Sequence, residues 1–318
     1  MQHQTNIRPM VEGGVLSAIA IIFAMISAYL PLIGPFVNLI WPVPIILLGV
    51  RHGYKWSIMA TAVAGVLIAI LMHPLHAVSV VVGFGLIGIT IGHAFRHKFS
   101  PVKTMIWGSA ASLISKIAII GIAIVVLGTN PLNMQGEVME KAMEQAFDVY
   151  RSMGIKEDDL ATLAETMKQA IGLMQIILPI GFAGAAVVDT YLNFWVAKAV
   201  LRRMGHYVEP FPPIKEWTFP RPAAYIFIGS MAAVYFGKSQ DIILLYNIGF
   251  NVYIGAMLVM GAQGLALFNY LADKYNLSKI LRAAILFLVL SNGFMTQMLV
   301  FAGIYDIMAD YRKLRTPR

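Results

Sequence analysis

The chain contains no cysteine and little charge. None of its 318 residues is a cysteine, which excludes disulfides, thiolate nucleophiles and cysteine-based zinc sites. Only 13% of the residues are Asp, Glu, Lys or Arg, against roughly 25% in a typical soluble domain. Hydrophobic residues make up 58%. Because a water-soluble protein needs charged residues to cover its surface, this composition excludes a soluble enzyme, a disordered chain and a fibrous protein.

The excess of basic residues does not indicate nucleic-acid binding. The formal net charge is +8, but the Lys and Arg residues stand in short clusters between apolar runs. That arrangement is typical of membrane topology rather than of a nucleic-acid surface.

About nine apolar segments approach the ~20 residues that a membrane-spanning helix needs. We therefore predict an all-α polytopic integral membrane protein, a bundle of about 8–10 transmembrane segments, with no enzymatic activity and no cofactor. The segments are Val11–Leu30, Phe36–Val50, Trp56–Met72, Leu75–Phe95, Thr104–Gly128, Leu173–Val200, Ala223–Phe236, Ile242–Leu271 and Ala283–Tyr305.

Basic residues in the short loops predict the orientation, because such residues favour the cytoplasmic side. By alternation, one side collects the clusters at 51–55, 96–103, 202–221 and 274–282. This places the N-terminus in the cytoplasm of a bacterial cell, whose cytoplasmic (inner) membrane the chain would span several times. The basic tail at 310–315 conflicts with nine simple spans, unless Ser291-Asn292-Gly293 breaks the last segment into a re-entrant hairpin or the short second segment is not a simple span.

Three regions are predicted. Residues 1–128 form an N-terminal bundle of five segments, residues 129–170 an extracytoplasmic insertion, and residues 171–318 a C-terminal bundle with a proline-rich cytoplasmic loop at 205–222. The insertion holds eight acidic and four basic residues and has the helical apolar period. It reads as an amphipathic hairpin, either a structural cap or a lid over a substrate entrance. The expected apolar faces are Met139, Ala142, Ala146, Tyr150 and Met153, then, beyond Gly154, Leu160, Leu163, Met167, Ile171 and Met174.

Two charges lie inside predicted membrane segments, where they are costly and usually face the bundle interior. Lys116 and Asp189 lie at one depth on consecutive antiparallel helices, roughly 17 Å from the inner boundary at ~1.5 Å per residue. We predict that they form an ion pair, either locking two helices or contacting a polar solute or a relayed proton. Asn193 follows Asp189 by one turn, and Asn247 and Asn251 share a face of another helix. Together these five residues are candidates for a substrate-binding site near the midplane.

Metal binding and catalysis have no positive signal. His93 and His97 stand at i and i+4, but no Glu follows the first histidine, so the zinc-protease motif is absent. No phosphate-binding glycine loop or Ser-His-Asp arrangement is recognisable.

Two features suit protein contacts. Ala20, Ala24 and Ala28 stand at four-residue spacing, which lets another helix approach closely. This stripe packs either inside the protein or against another membrane subunit. The loop at 209–222 holds five prolines and must be extended and stiff, as a rigid connector or a docking segment.

The first hundred residues resemble the substrate-binding (S) subunits of energy-coupling-factor vitamin transporters. The resemblance rests on the alanine stripe and on Pro31-Leu-Ile-Gly-Pro35, Leu48-Gly49 and Gly53. In S subunits the stripe contacts the coupling subunit, which implies the same for Ala20, Ala24 and Ala28. The chain is longer than those roughly six-helix proteins and adds the acidic insertion.

The remainder resembles the YybS-like bacterial membrane proteins. The residues that carry this resemblance are Pro212-Pro-Ile-Lys-Glu-Trp217 with Pro220, Asn251, Gln263-Gly-Leu265, Gly303-Ile-Tyr-Asp306 and Asp310-Tyr-Arg-Lys313. This resemblance implies a class of membrane protein but no particular reaction.

Two functions are therefore expected. In the first, the protein resembles a transporter substrate-binding subunit and binds or moves a small polar solute with a membrane coupling partner. In the second, it is a non-transporting scaffold or regulator that binds another envelope or signalling protein. Its partners are the lipid bilayer, a possible coupling subunit and an unidentified solute, with no nucleic acid.

Overall fold

A computed structural model describes residues 7–128 and 130–314. The described residues form helices without a strand, and seven helical stretches are long and apolar enough to cross a membrane, or up to eight if one bent pair counts as a span. The predicted polytopic all-α fold is thus confirmed. The helices are α1 Ile7–Tyr29, α2 Gly34–Leu39, α3 Pro42–His52, α4 Tyr54–Leu71, α5 Pro74–Val80, α6 Leu86–Arg96, α7 Pro101–Leu127, α8 Pro131–Ser152, α9 Glu157–Arg203, α10 Pro222–Ser239, α11 Ile243–Lys274, α12 Lys279–Ser291 and α13 Gly293–Ala309.

The chain divides into two compact units. The first unit comprises residues 1–171 and 181–210, and the second comprises residues 172–180 and 211–318. Helix α9 contributes residues to both. The three predicted regions, 1–128, 129–170 and 171–318, stay a prediction, since compactness groups the chain in a different way.

In the first unit, α1 packs on α3 and α4, and α3 packs on α6. Trp41 is completely buried, and its indole Nε1 donates a 2.8 Å hydrogen bond to the Ala20 carbonyl. Helices α3 and α6 approach at two glycines, because a Cβ on Gly92 would lie 3.2 Å from the Gly49 Cα. Small residues at helix contacts replace the hydrophobic driving force that lipid does not provide.

The insertion is a hairpin, but its second arm is not a separate helix. Gly154 turns the chain at a left-handed φ of +82°, and α9 then continues unbroken for 47 residues. At ~1.5 Å per residue it is about 70 Å long, roughly twice the hydrocarbon thickness. The amphipathic arm is therefore the first part of a helix that continues into an apolar, membrane-spanning segment.

The predicted apolar face of the first arm is wrong. Met143 and Phe147 are buried, against Leu160 of the second arm, with Ala164 and Met167 packed around them. The predicted Met139, Tyr150 and Met153 are exposed. The buried pair lies one residue away from the predicted face at each turn, and an aromatic ring at 147 buries more area than Ala146. On the second arm Leu160 and Met167 follow the prediction, whereas Leu163 and Met174 are exposed.

In the second unit, α11 packs on α10 and α13. The last apolar segment breaks at Asn292, where α12 and α13 meet at 107°. The Asn292 side chain accepts hydrogen bonds from the Phe294 and Met295 amides and thereby starts α13. Polar contacts hold both ends of this segment at one end of the unit. Arg282 of α12 and Lys215 both form ion pairs with Asp273. Arg312, which follows α13, donates a hydrogen bond to the Lys215 carbonyl.

The broken segment bears on the conflict over the C-terminal tail. Because α12 begins and α13 ends at the same end of the second unit, Arg312 lies at the same end as Arg282. This geometry favours the re-entrant alternative that the Ser291-Asn292-Gly293 sequence suggested, which stays a prediction.

Candidate functional site

The predicted ion pair between Lys116 and Asp189 is present. Lys116 follows the start of α7 by 15 residues, and Asp189 precedes the end of α9 by 14, so each lies about 22 Å along its helix. The ammonium contacts Asp189 Oδ2 directly and donates a 3.0 Å hydrogen bond to Ser112 Oγ. The hydroxyl of Ser112 donates in turn to Asp189 Oδ2 over 3.2 Å. Asp189 is only 4% exposed, so its charge relies on these partners.

Asn193 joins this group one turn further along α9. Its Nδ2 donates to two backbone carbonyls, of Asp189 and of Leu39, each over 2.8 Å. The second bond brings in the end of α2. We call Ser112, Lys116, Asp189 and Asn193 the Lys116 cluster. It joins three helices of the first unit at a depth where water is scarce.

The Lys116 cluster leaves hydrogen-bonding capacity unused. Among the described residues, three buried side-chain oxygens have no partner: Oδ1 of Asn193, Oγ of Ser115 and Oδ1 of Asn38. Ser115 directly precedes Lys116, and Asn38 directly precedes Leu39, whose carbonyl accepts from Asn193. An unsatisfied buried polar atom costs about 1–3 kcal/mol. Such atoms in a native structure call for an explanation, and a hydrogen-bonding molecule at the site is one.

Asn247 and Asn251 have a different setting, because both belong to the second unit. Asn251 Nδ2 donates to the Ile176 carbonyl over 2.6 Å, and its Oδ1 accepts from the Ile180 amide over 3.0 Å. In a regular helix those two backbone groups would bond to each other. Pro179 lies between them and disturbs the helix. The Asn251 side chain therefore repairs α9 beside a proline, and Asn247 supplies only a carbonyl that accepts from Asn251.

The alanine stripe is covered by the chain itself. Ala20 and Ala24 are completely buried in the core that includes Trp41, Leu48 and Ala64, whereas Ala28 is exposed. The Ser17 hydroxyl, on the same face, donates to the Ala60 carbonyl over 3.4 Å. Internal packing, one of the two alternatives for the stripe, therefore accounts for Ala20 and Ala24.

The second unit contains a buried charge pair that the sequence analysis did not predict. Arg312 and Asp306 have side chains only 2% exposed. Arg312 Nε lies 3.2 and 3.0 Å from the two carboxylate oxygens, and its Nη2 lies 2.8 Å from Oδ2. Gln263 Nε2 also donates to Oδ2. We call Gln263, Asp306 and Arg312 the Arg312 cluster.

The Arg312 cluster holds the proline-rich loop. Arg312 donates through Nη1 to the Lys215 carbonyl and through Nη2 to the Trp217 carbonyl, the latter over 2.6 Å. Gln263 Oε1 accepts from the Phe219 amide over 2.9 Å. Three alternate residues, 215, 217 and 219, are thereby fixed. The fork of donors on one guanidinium makes this possible. The loop is not extended throughout, because a short 3-10 turn at Ile214–Glu216 is closed by backbone hydrogen bonds of its own.

An exposed ion pair continues this contact towards the solvent. Lys215 Nζ lies 2.8 Å from Asp273 Oδ2, and the hydrogen bond to Asp273 raises the pKa of Lys215. A raised pKa means that the stabilisation is present at neutral pH and is lost only as the pH rises through the folded-state pKa.

Comparison with known proteins agrees with this architecture. Residues 18–307 match a family described as predicted membrane protein, DUF2232. The chain belongs to this family. It is 24% identical over 275 residues to a Bacillus subtilis (strain 168) protein described as "Uncharacterized protein YybS", a match that covers 84% of this chain and 85% of that protein. No solved structure matches significantly.

Family membership establishes that this is a membrane protein with several apolar helices. It does not establish an activity. The residues that resemble YybS-like proteins in sequence come together in the second unit, since Trp217, Gln263, Asp306 and Arg312 all take part in one hydrogen-bonded arrangement. Their spacing gave no such indication, because Asp306 and Arg312 lie on either side of the end of α13. The available signal was the presence of Gln263 inside one apolar segment and of Asp306 directly after another.

Proposed function

We propose that this multi-pass protein binds a small polar solute at the Lys116 cluster and moves it across the bacterial cytoplasmic membrane with a coupling partner. The observation that carries the proposal is a mid-helix ion pair with a buried acid, together with an unpartnered Oδ1 on Asn193, one turn from Asp189, and an unpartnered Oγ on Ser115, next to Lys116. The cluster binds its solute and does not transform it. The N-terminus lies in the cytoplasm in this proposal.

The chemistry of the cluster defines the kind of solute. Lys116 has three N–H donors, of which two have named acceptors. The oxygens of Asn193 and Ser115 accept hydrogen bonds. A neutral or zwitterionic molecule with adjacent donor and acceptor groups meets both requirements without adding an uncompensated charge. The resemblance of the first hundred residues to vitamin-binding S subunits supports the same class of solute. The coupling partner in this proposal is inferred from that resemblance.

Binding is tested on detergent-purified protein with a panel of water-soluble vitamins, amino acids and nucleosides, each added while the melting temperature is recorded. A solute at 100 times its Kd should stabilise the protein by about 2.7 kcal/mol. We expect at least one compound to raise the melting temperature saturably. The double variant Lys116→Met/Asp189→Leu should fold and lose this response.

The matched control is Thr190→Val. Thr190 follows Asp189 and is equally buried, but its hydroxyl bonds only within α9, to the Ala186 carbonyl over 2.8 Å. This variant should respond to the solute as the wild type does. A compound that stabilises the double variant and the wild type equally would place the solute elsewhere. The coupling partner is tested separately, by co-purification of membrane proteins with a tagged chain.

A further inference from the structure

Two cavities meet at one end of the first unit, which we call its basic end. The basic cleft, of about 630 Å³, is lined by residues that include Arg96, Lys98, Phe99, His206 and Tyr207. The aromatic groove, of about 430 Å³, is lined by residues that include Tyr54, Ile89, Phe99, Lys103 and Trp107. Phe99 belongs to both linings, so the two cavities are neighbours.

The positions of the basic residues in the cleft are fixed by how α6 ends. Arg96 Nη1 donates to the Val50 carbonyl over 3.1 Å, which leaves its other N–H groups available. Lys98 has a left-handed φ of +54°, and the Phe99 amide then returns to the Ala94 carbonyl over 2.9 Å. This reversal brings Lys98 and Phe99 to the cleft. Glu209 is the single acidic residue of the lining, so the cleft carries a positive balance.

The dipoles of two helix ends explain part of this positive charge. The C-termini of α6 and α9 both reach the basic end, and their carbonyls favour cations. They do not explain the groove beside the cleft, which is apolar and aromatic and carries a lysine at its mouth. Lys103 lies 4.1 Å from the Phe99 ring centre, and Trp107, one turn deeper along α7, is 55% exposed. Trp and Tyr at such a depth are typical of the membrane interface.

We propose that the basic cleft and the aromatic groove bind one anionic phospholipid. Its phosphate lies beside Arg96 and Lys98, and an acyl chain passes Phe99 into the groove along Trp107. The charge balance of the cleft selects an anionic headgroup, and the continuity of the two cavities at Phe99 selects a molecule with an apolar chain attached to that anion. Basic pockets between membrane helices are known to hold such headgroups.

The test uses native mass spectrometry of the full chain in detergent, with phosphatidylglycerol and phosphatidylcholine of identical acyl chains. One phosphatidylglycerol should remain bound, at least tenfold more readily than phosphatidylcholine. Arg96→Gln/Lys98→Asn should weaken phosphatidylglycerol binding roughly 30-fold for the two lost charges. Asn tolerates the left-handed φ of Lys98, and Lys98→Asn alone, with a smaller loss, covers the case that the double variant does not fold.

Trp107→Ala separates the two parts of the site. It should weaken both lipids by a similar factor, because it removes only groove contacts. The matched charge control is Lys55→Gln/Arg203→Gln, which removes two basic residues that line neither cavity, and it should leave binding unchanged.

Four outcomes would overturn the proposal. Equal retention of the two lipids by the wild type would remove the headgroup site. Equal loss in the matched charge control would reduce the effect to diffuse electrostatics. Displacement of the lipid by glycerol 3-phosphate at the same concentration would make the cleft a site for soluble phosphates. A dimer that excludes lipid would assign the groove to a second copy of the chain.

Discussion

The Lys116 cluster and the Arg312 cluster are both built on one buried acid and one base, but they differ in how fully their atoms are bonded. In the Arg312 cluster the carboxylate of Asp306 receives donors from Arg312 and Gln263, and the remaining donors of Arg312 reach two loop carbonyls. In the Lys116 cluster Oδ1 of Asn193 has no partner among the described residues, and neither has Oγ of Ser115, the neighbour of Lys116.

Under the proposed function, this difference separates the structural role of the Arg312 cluster from a binding role of the Lys116 cluster. Every side-chain nitrogen and oxygen of the Arg312 cluster has a partner, and its contacts with the proline-rich loop show what it holds. An unsaturated pair has already met the desolvation cost of its charges and retains free acceptors, as a pre-organised site requires. A buried charge is therefore an insufficient sign of function by itself, and the hydrogen bonds of the neighbouring atoms must be counted as well.

The largest effect is expected for Arg312→Met. It leaves Asp306 buried with Gln263 as its remaining partner and releases the Lys215 and Trp217 carbonyls. Breaking a buried pair from one side costs about 3–5 kcal/mol. Thermal unfolding in detergent should show this loss, and limited proteolysis should cut within residues 211–219. Lys279→Met, an exposed base at the same end of the second unit, is the control and should change neither. An unchanged protease pattern in Arg312→Met would mean that the loop is held by other contacts.

The next largest effect concerns variants in which the acid and the base of each cluster are replaced together. Lys116→Met alone should cost about 2.5–3.5 kcal/mol by leaving Asp189 without its cation, and Lys116→Met/Asp189→Leu should recover most of that loss. Arg312→Met/Asp306→Leu should not recover, because the loop carbonyls and Gln263 stay unpartnered. Unfolding measurements on both double-mutant cycles check this. Full recovery in the second unit would erase the distinction between the two clusters.

The smallest loss of stability is expected when a glycine at a helix contact is replaced by alanine in either unit. A Cβ on Gly303 would meet the Met260 carbonyl and lie 2.8 Å from the Gly264 amide nitrogen, whereas one on Gly92 would find its nearest atom at 3.0 Å. Gly303→Ala should therefore destabilise by about 1–3 kcal/mol, and Gly92→Ala by less. Gly181→Ala, with no atom within 4 Å, is the control and should be neutral or slightly stabilising. The order of the three melting temperatures tests this, and a reversed order of Gly303 and Gly92 would contradict it.

The sequence was sufficient for the helices and for the pairing of Lys116 with Asp189, because hydropathy and a constant rise per residue fix depth. It offered the break at Asn292 as one of two alternatives, and the structure has this break, because the Asn292 side chain caps α13 locally. It was insufficient for the buried face of α8 and for the length of α9. Pro179 suggests an interruption, yet α9 continues because Asn251 bonds the two affected backbone groups from 71 residues away.

The candidate site shows the same division. Asn193 was found by its spacing from Asp189, but Asn247 and Asn251 were grouped with it only by residue type and belong to the second unit. The alanine stripe suited a partner helix, and α3 and α4 of the chain itself cover Ala20 and Ala24. The residue types and the helical period predict that another helix can approach this face closely. They do not predict which helix does so.

By itself the sequence determined that this protein is helical and membrane-embedded, and that Lys116 and Asp189 pair at one depth. It could do so because the free-energy cost of charges and of unpaired backbone groups in lipid allows few arrangements. Only the tertiary structure decided which polar atoms are satisfied. It joined Arg312 to a loop almost a hundred residues away and left Asn193 with an oxygen to spare. Hydrogen-bond saturation depends on neighbours from distant parts of the chain, and no local pattern contains that information.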